Sequence, residues 1–480
     1  MELDADHCYE AIKARDARFD GVFFVGVSTT GIYCRPVCTV RTPGRDRCSF
    51  YPNAARAEAA GYRPCLRCRP ELAPGSAPMD AVRRVSSLAV ARIEAGGLSD
   101  VGMEALAAEF SLSSRQLRRV IEREYGVTPV ALAQTRRLLL AKHLLADTQL
   151  RMADIAFASG FQSVRRFNHL FRTRYGLNPR ALRRRQHMDG DAITLKLGYR
   201  PPLAWPALAG FLTSRGAICT ERFEQGRYLR TVRIDRHRGW IAVAPDARQN
   251  VLHIELAPSL LPALTSLLAR LRRLFDLDAN PSVIEAHLSR DKRLAPLIKA
   301  APGLRIPGTL DGFELALRAV LGQQISVKAA TTVFGRFAQY FGETVQTPFT
   351  GLDRVAPSAE AIADARLQQI IERGLTRKRA ETVHALARAV ANNKLRLEAS
   401  ARPEDTAAAL DDLAGIGPWT IQYIAMRALS NPDAFPDSDL GLLKALRLKH
   451  PAKLAAAAEK WRPWRAYAAI HLWNSYSAGE

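Results

Sequence analysis

Eight residues in this chain have types and spacings that suit chemistry. Cys34 and Cys38 lie in "TTGIYCRPVC" (29–38), and Cys65 and Cys68 in "GYRPCLRC" (61–68), giving C-x3-C, a gap of 26 residues, then C-x2-C. Close pairs of this kind let a local turn present two sulfurs at once to a tetrahedral Zn²⁺. A zinc-held thiol is deprotonated at neutral pH, which makes it either a structural staple or a soft nucleophile. Cys8, Cys48 and Cys219 have no partner at metal spacing and read as ordinary small residues. Far downstream, "LDDLAGIGPWTIQYIAMRAL" (410–429) reads as helix, turn, helix. Gly415 and Gly417 allow a tight hairpin whose amides and following helix N-terminus suit a phosphate, although a lone GxG also serves simply to link packed helices. About ten residues on, "FPDSDLGLLKAL" offers Asp439 ahead of an apolar helical pattern, with Asp437 as the neighbouring alternative.

The elements that must position these groups follow from composition and periodicity. At 480 residues the chain exceeds what one core usually organises. Its 69 Lys and Arg against 47 Asp and Glu give +22, which calls for a polyanionic partner, nucleic acid before membrane. No apolar run reaches the ~20 residues of a membrane span, and the first twenty residues lack the apolar core of a secretory signal. Both features predict a cytoplasmic, nucleoid-associated protein, where clustered cysteines bind metal rather than form disulfides. Linkers are expected near 70–80 and 183–193. Between them, "SLSSRQLRRVIEREYGVTPVAL" (111–132) returns fifty residues later as "FQSVRRFNHLFRTRYGLNPRAL" (161–182). Each copy predicts a short helix (around Leu106 and Ile155), a turn, a serine cap and a second helix: a helix-turn-helix, twice. Residues 102–187 carry 16 basic against 6 acidic side chains. Beyond 191 the alternation in "YLRTVRI", "GWIAVAP" and "VLHIEL" predicts strands beside helices, and from 277 the pattern is mostly helical.

Three resemblances build on these motifs. The duplicated unit resembles the AraC-type DNA-binding domain, including a long joining helix at about 130–146. This implies that Arg115, Gln116, Arg165, Arg166 and Asn168 face DNA. "TTGIYCRPVC" and "SFYPNAARAEAAGYRPCLRC" resemble the N-terminal domain of the Ada alkylation-response family. That likeness implies one zinc ion on Cys34, Cys38, Cys65 and Cys68. Cys34 is then the acceptor of methyl from a DNA methylphosphotriester, and Thr30, Arg41 and Arg63 contact the DNA. Thr39 stands where the family can have a basic residue. "FLTSRGA", "LFDLDANP", "PGLRIPGTLDGFELALRAVLGQQIS", "GIGPWTIQY" and "WRPWRAYAAIHLW" resemble the AlkA family of 3-methyladenine DNA glycosylases over about 193–476. By that likeness Asp439 is the catalytic carboxylate. Trp419, Tyr423 and Trp473 line an electron-rich pocket for a flipped-out cationic base. Gly415 and Gly417 meet the DNA backbone, with a monovalent cation at the hairpin. Gln324 takes the place of an apolar wedge. Trp461 and Trp464 read as core.

The expected architecture is therefore multidomain, mostly α with α+β parts. A zinc-binding methyl-acceptor domain (1–78) and an AraC-type helix-turn-helix domain (79–187) precede a TATA-binding-protein-like α/β domain (190–276) and a helix-hairpin-helix glycosylase domain (277–480). The resemblances imply an alkylation-repair enzyme and adaptive-response regulator acting on alkylated and promoter DNA, as a monomer, with RNA polymerase as a further partner. Methylating one of four zinc-bound thiolates removes one negative charge. At ~10 Å from a phosphate and an effective dielectric of ~20, that relieves about 1.7 kcal/mol and tightens DNA binding. The rival reading is a zinc-dependent regulator whose glycosylase half binds lesions without acting on them. An endonuclease III-type iron–sulfur enzyme is excluded because no cysteine follows Cys219, and no "PCHR" motif marks a guanine-O6 methyltransferase. Trp419 stands just before Thr420, where bifunctional relatives carry a Schiff-base lysine, so a monofunctional glycosylase is expected.

Overall fold

The computed structural model describes residues 3–75, 85–183 and 193–477. The expected linkers fall largely on 76–84 and 184–192, which lie outside the described residues. The chain divides into two compact units: Met1–Pro201 with Pro245–Ala269, and Pro202–Ala244 with Arg270–Glu480.

In the first unit a four-stranded sheet carries the cysteines. β1 (Phe24–Val27) pairs antiparallel with β2 (Ile32–Cys34) and β3 (Cys48–Tyr51), and β4 (Arg63–Pro64) runs parallel to β2. The "TTG" turn between β1 and β2 needs Gly31, whose φ of 63° is a left-handed conformation that costs glycine nothing. That turn fixes the pairing of Val25 with Cys34 and so sets the thiol at the strand end. Helix α1 (Ala54–Ala59) packs on the sheet.

The duplicated helices follow the periodicity read from the sequence: α2 (Gly102–Ala108), α3 (Ser114–Tyr125), α4 (Pro129–Asp147), α5 (Met152–Ala158) and α6 (Val164–Tyr175). Ser113 caps α3 in a reciprocal box with Gln116, Ser163 caps α6, and Gly126 and Gly176 end the two helices in left-handed conformation. Leu117 and Ile121, and their repeats Phe167 and Phe171, are fully buried. Each such side chain contributes about 2 kcal/mol of burial, which orients the polar faces outward.

Zinc-module and helix-turn-helix residues share one polar core. Glu58 on α1 accepts hydrogen bonds from Tyr33 Oη (3.1 Å), Thr135 Oγ1 on α4 (2.8 Å) and Tyr175 Oη on α6 (3.2 Å). Burial pushes its carboxyl up to about 7, against the pull of the three hydroxyls. Nearby, Glu71 pairs with Lys142 (2.5 Å), while Arg69 pairs with Glu71 (3.0 Å) and Asp147 (2.7 Å). These contacts tie the segment just past Cys68 to α4. Elsewhere in this unit, Ile193–Gly198 pairs antiparallel with Val251–Leu256.

In the second unit the helix Trp205–Thr213 precedes an antiparallel meander of Glu221–Glu224, Arg227–Ile234 and the strand that starts at His237. A helical bundle follows, built from α7 (Gly312–Leu321), α8 (Val327–Phe341), α9 (Arg377–Ala391), α10 (Pro403–Asp411), α11 (Pro418–Arg427), α12 (Leu440–Ala445) and α13 (Arg465–Ser477). Leu317, Val320, Phe337, Leu386 and Ile424 are fully buried in its core. Trp461 and Trp464 are buried as well, in keeping with a packing role. Among the described residues no helix is long and apolar enough to cross a membrane.

Candidate metal centre and candidate active site

The sulfurs of Cys34, Cys38, Cys65 and Cys68 all lie within 4.8 Å of one another. Sulfurs bound to one Zn²⁺ at ~2.3 Å stand about 3.8 Å apart, so this donor set fits the metal. The backbone builds the site: Arg35 N and Arg67 N each donate to a sulfur, of Cys68 and Cys65 respectively, at 3.4 Å. The Arg35 guanidinium bonds Asp20 and the Cys68 carbonyl (3.1 Å), clamping the two cysteine pairs together. Without a metal the four thiols hydrogen-bond one another, which lowers Cys38 and Cys65 and raises Cys34 and Cys68. Cys34, Cys38 and Cys65 are buried and Cys68 is half-buried, so exposure alone does not single out Cys34. Thr30 and Arg41 are exposed and Arg63 half-buried; Thr39 is exposed. On the paired helices Arg115, Gln116, Arg165 and Arg166 are exposed and Asn168 half-buried.

In the second unit Gly415, with φ at 92°, turns the chain between α10 and α11, and Gly417 caps α11. A Cβ on Gly415 would meet Thr382 Oγ1 at 2.3 Å, whereas one on Gly417 meets nothing within 4 Å. The Gln323 side chain donates to Gly415 O (3.0 Å) and Thr420 Oγ1 (3.3 Å), bracing the hairpin. Its neighbour Gln324 is exposed in the turn before α8, in left-handed conformation (φ 57°).

Asp439 caps α12, accepting from Leu442 N at 2.9 Å. Two indoles complete its shell: Trp473 Nε1 donates to Oδ1 (2.9 Å) and Trp419 Nε1 to Oδ2 (2.8 Å). All three groups line a cavity of about 270 Å³, together with Tyr423, Phe211 and Arg215. Asp437 is not among the lining residues. Trp419 stacks on Tyr423 with centroids 5.0 Å apart and 12° between planes, and Trp473 meets Tyr423 edge-on at 6.3 Å. The sequence singled out this aromatic trio, but not that two of its members, Trp419 and Trp473, donate hydrogen bonds to Asp439.

The cationic side of the cavity was also missed. Arg215 Cζ lies 3.7 Å from the Phe211 ring centroid, and Arg427 Cζ lies 5.2 Å from both Phe211 and Tyr423. Burial would raise the Tyr423 phenol, yet Arg427 and Arg215 outweigh it and bring the pKa below its ordinary value. The pocket is thus electron-rich on its faces and donor-rich on one wall. In the sequence Arg215 sits within "FLTSRGA" and Arg427 within "IQYIAMRAL", where no local pattern marks either as facing a cavity.

A cysteine-cluster module with two helix-turn-helix units in one unit, and a helical hairpin followed by a capped aspartate in the other, define a class of DNA-binding protein joined to a helix-hairpin-helix DNA glycosylase. Family models match in the same order: "Metal binding domain of Ada" at 7–71, "Helix-turn-helix domain" at 106–185, "AlkA N-terminal domain" at 194–311 and "HhH-GPD superfamily base excision DNA repair protein" at 317–460. The "Probable bifunctional transcriptional activator/DNA repair enzyme AlkA" of Mycobacterium tuberculosis is 39% identical over 488 residues, covering 99% of this chain and 97% of its own. The chain belongs to that family of bifunctional transcriptional activator/DNA repair enzymes. Over 58% of this chain it is 34% identical to "DNA-3-methyladenine glycosylase 2" of Escherichia coli, covering 95% of that protein. Over 30% of this chain it is 37% identical to "Bifunctional transcriptional activator/DNA repair enzyme Ada" of Escherichia coli, covering 39% of it. In fold it is similar to the 3-methyladenine DNA glycosylase of Archaeoglobus fulgidus (TM-score 0.52, 21% identity), covering 59% of this chain and 98% of that one.

Proposed function

We propose that the chain repairs alkylated DNA by two separate chemistries and regulates transcription through the first. Cys34 accepts a methyl group from a DNA methylphosphotriester, and the methylated chain binds promoter DNA and activates transcription. Asp439 serves hydrolysis of the N-glycosidic bond of 3-methyladenine and related bases.

The observation that carries the glycosylase reading is the anchored carboxylate. Two indoles and one amide fix Asp439 in the wall of an aromatic cavity of about 270 Å³. Held this way, the carboxylate stabilises the oxocarbenium-like sugar without reorganising as the bond breaks. Trp419 and Tyr423 offer faces on which a flipped base stacks. Zinc, when bound, keeps the four sulfurs as thiolates at neutral pH. The Cys34 sulfur then forms the S–CH3 bond as the O–CH3 bond breaks, and the electron pair returns to the phosphodiester. Arg35, clamped between Asp20 and Cys68, holds the cysteine pairs in place for this transfer. The assignment to Cys34 rests on its place after "TTGI", since burial does not distinguish it.

Among the described residues no lysine lines the cavity, and Schiff-base chemistry needs an amine. Methylated duplex DNA incubated with the full chain should release free 3-methyladenine and leave abasic sites. Borohydride should trap no protein–DNA adduct. A trapped adduct, or no base released, refutes the reading.

A further inference from the structure

Helix α8 turns one face to the base cavity, through Val327, Ala330, Thr331 and Phe334. Its opposite face, at 3.6 residues per turn, carries an open groove of about 470 Å³ lined by Thr332, Gly335, Arg336, Gln339, Tyr340 and Arg373. Between Glu314 and Glu343 the sequence has no acidic residue, so Lys328 and Arg336 are the only charged groups on α8. Both are exposed, and among the described residues no hydrogen bond or ion pair ties down either side chain. They stand eight residues apart on one face, about 12 Å along the axis. Arg373 closes the groove. Its Cζ lies 3.9 Å from the Tyr340 ring centroid, and Gln369 Nε2 donates to the Tyr340 hydroxyl at 3.1 Å. Its pair with Glu372 is long (3.4 Å) and that carboxylate is 51% exposed, so a stronger anion can displace it. Glycine in mid-helix weakens the helix, and packing does not ask for one at 335. Among the described residues a Cβ there would meet only Ala217 Cβ, at 3.6 Å. The missing side chain instead opens the floor of the groove.

We propose that this groove holds backbone phosphates of the duplex arm beside the lesion, a second anchor for DNA outside the base cavity. This rests on the reading of the second unit as a DNA glycosylase. Helix α8 starts just past the exposed Gln324 turn, whose neighbours Gly322 and Ile325 line the base cavity. An arm that leaves this turn along α8 meets Lys328 first, then Arg336 and Arg373. Phosphates of one strand recur every ~3.4 Å of duplex axis, so the row spans about three of them. Guanidiniums suit the task because their planar forks match phosphate oxygens. A solvated helix face would need neither the glycine floor nor an arginine stacked on a tyrosine. A free phosphate would need the groove but not the row from Lys328 to Arg336, which favours a continuous polyanion. Backbone contacts read no bases, so the anchor helps offset the cost of flipping whatever the lesion.

The test measures the affinity of the full chain, across salt concentrations, for duplexes with a stable abasic analogue between two long arms. Arg336→Gln combined with Arg373→Gln should flatten the slope of log K against log salt by about two, at ~0.9 per phosphate contact. Cutting one arm short should erase that difference, while cutting the other should leave it. Gly335→Ala should raise the unfolding temperature by about 2 °C, because alanine suits a helix better. The same variant should bind the duplex about tenfold more weakly, the low end for one lost charge-assisted hydrogen bond. An unchanged slope in the double variant overturns the proposal, as does Gly335→Ala that binds like wild type. Inorganic phosphate that protects wild type from heat, with the two slopes equal, would assign the groove to a free anion and overturn it as well. Wild type that binds the analogue no more tightly than undamaged duplex would instead defeat the glycosylase reading, and this proposal with it.

Discussion

Asp439 shows how much one residue's role depends on its neighbours. Its two oxygens are each claimed by a different indole, Trp473 on Oδ1 and Trp419 on Oδ2, so the carboxylate cannot rotate freely. Hydrogen bonds to a charged group contribute ~1.5–3 kcal/mol, and here that energy goes into orientation. Trp473→Phe keeps an aromatic ring in the wall but removes the Nε1–H donor. It should slow single-turnover base release by about tenfold or more while changing lesion-DNA affinity much less. An equal loss in affinity would mean that the ring, not the donor, is what matters. Sequence spacing alone left Asp437 and Asp439 as alternatives; the cavity is lined by Asp439 and not by Asp437. The indole donors and Arg215 were not legible, because contacts between residues 215, 419, 439 and 473 depend on packing that no local pattern encodes.

At the scale of elements the local grammar was largely readable. Serine caps, left-handed glycines at helix ends and the "TTG" and "AGIG" turns have specific backbone requirements, and the helices and strands beside them begin and end there. What the grammar could not supply is how elements lock together, as Glu58 does among Tyr33, Thr135 and Tyr175. The hairpin glycines separate backbone need from binding need. Gly415→Ala faces both the left-handed φ and the Thr382 hydroxyl, so it should cost about 1–3 kcal/mol. Gly417→Ala has open space and an ordinary φ of −103°, so it should cost under about 1 kcal/mol, as expected at a helix cap. Thermal unfolding checks both. If the hairpin amides approach a phosphate, Gly417→Ala should nonetheless weaken binding to lesion DNA.

At the scale of the whole molecule, two sets of chemical groups lie on different compact units and share no residue: the cysteines at 34–68 and the cavity around Asp439. The basic surplus of +22 gives both a common partner in DNA. The central claim is that one chain carries two separable repair chemistries. The most direct test mixes the full chain with duplex DNA bearing methylphosphotriesters and 3-methyladenine, then reads peptide masses and released base from the same reaction. The account predicts that wild type gains one methyl on Cys34 and releases base. Asp439→Asn should still take up the methyl but release base about a thousandfold more slowly. Cys34→Ala should release base at the wild-type rate and take up no methyl. Methyl found on another cysteine, or unimpaired base release by Asp439→Asn, would contradict the account.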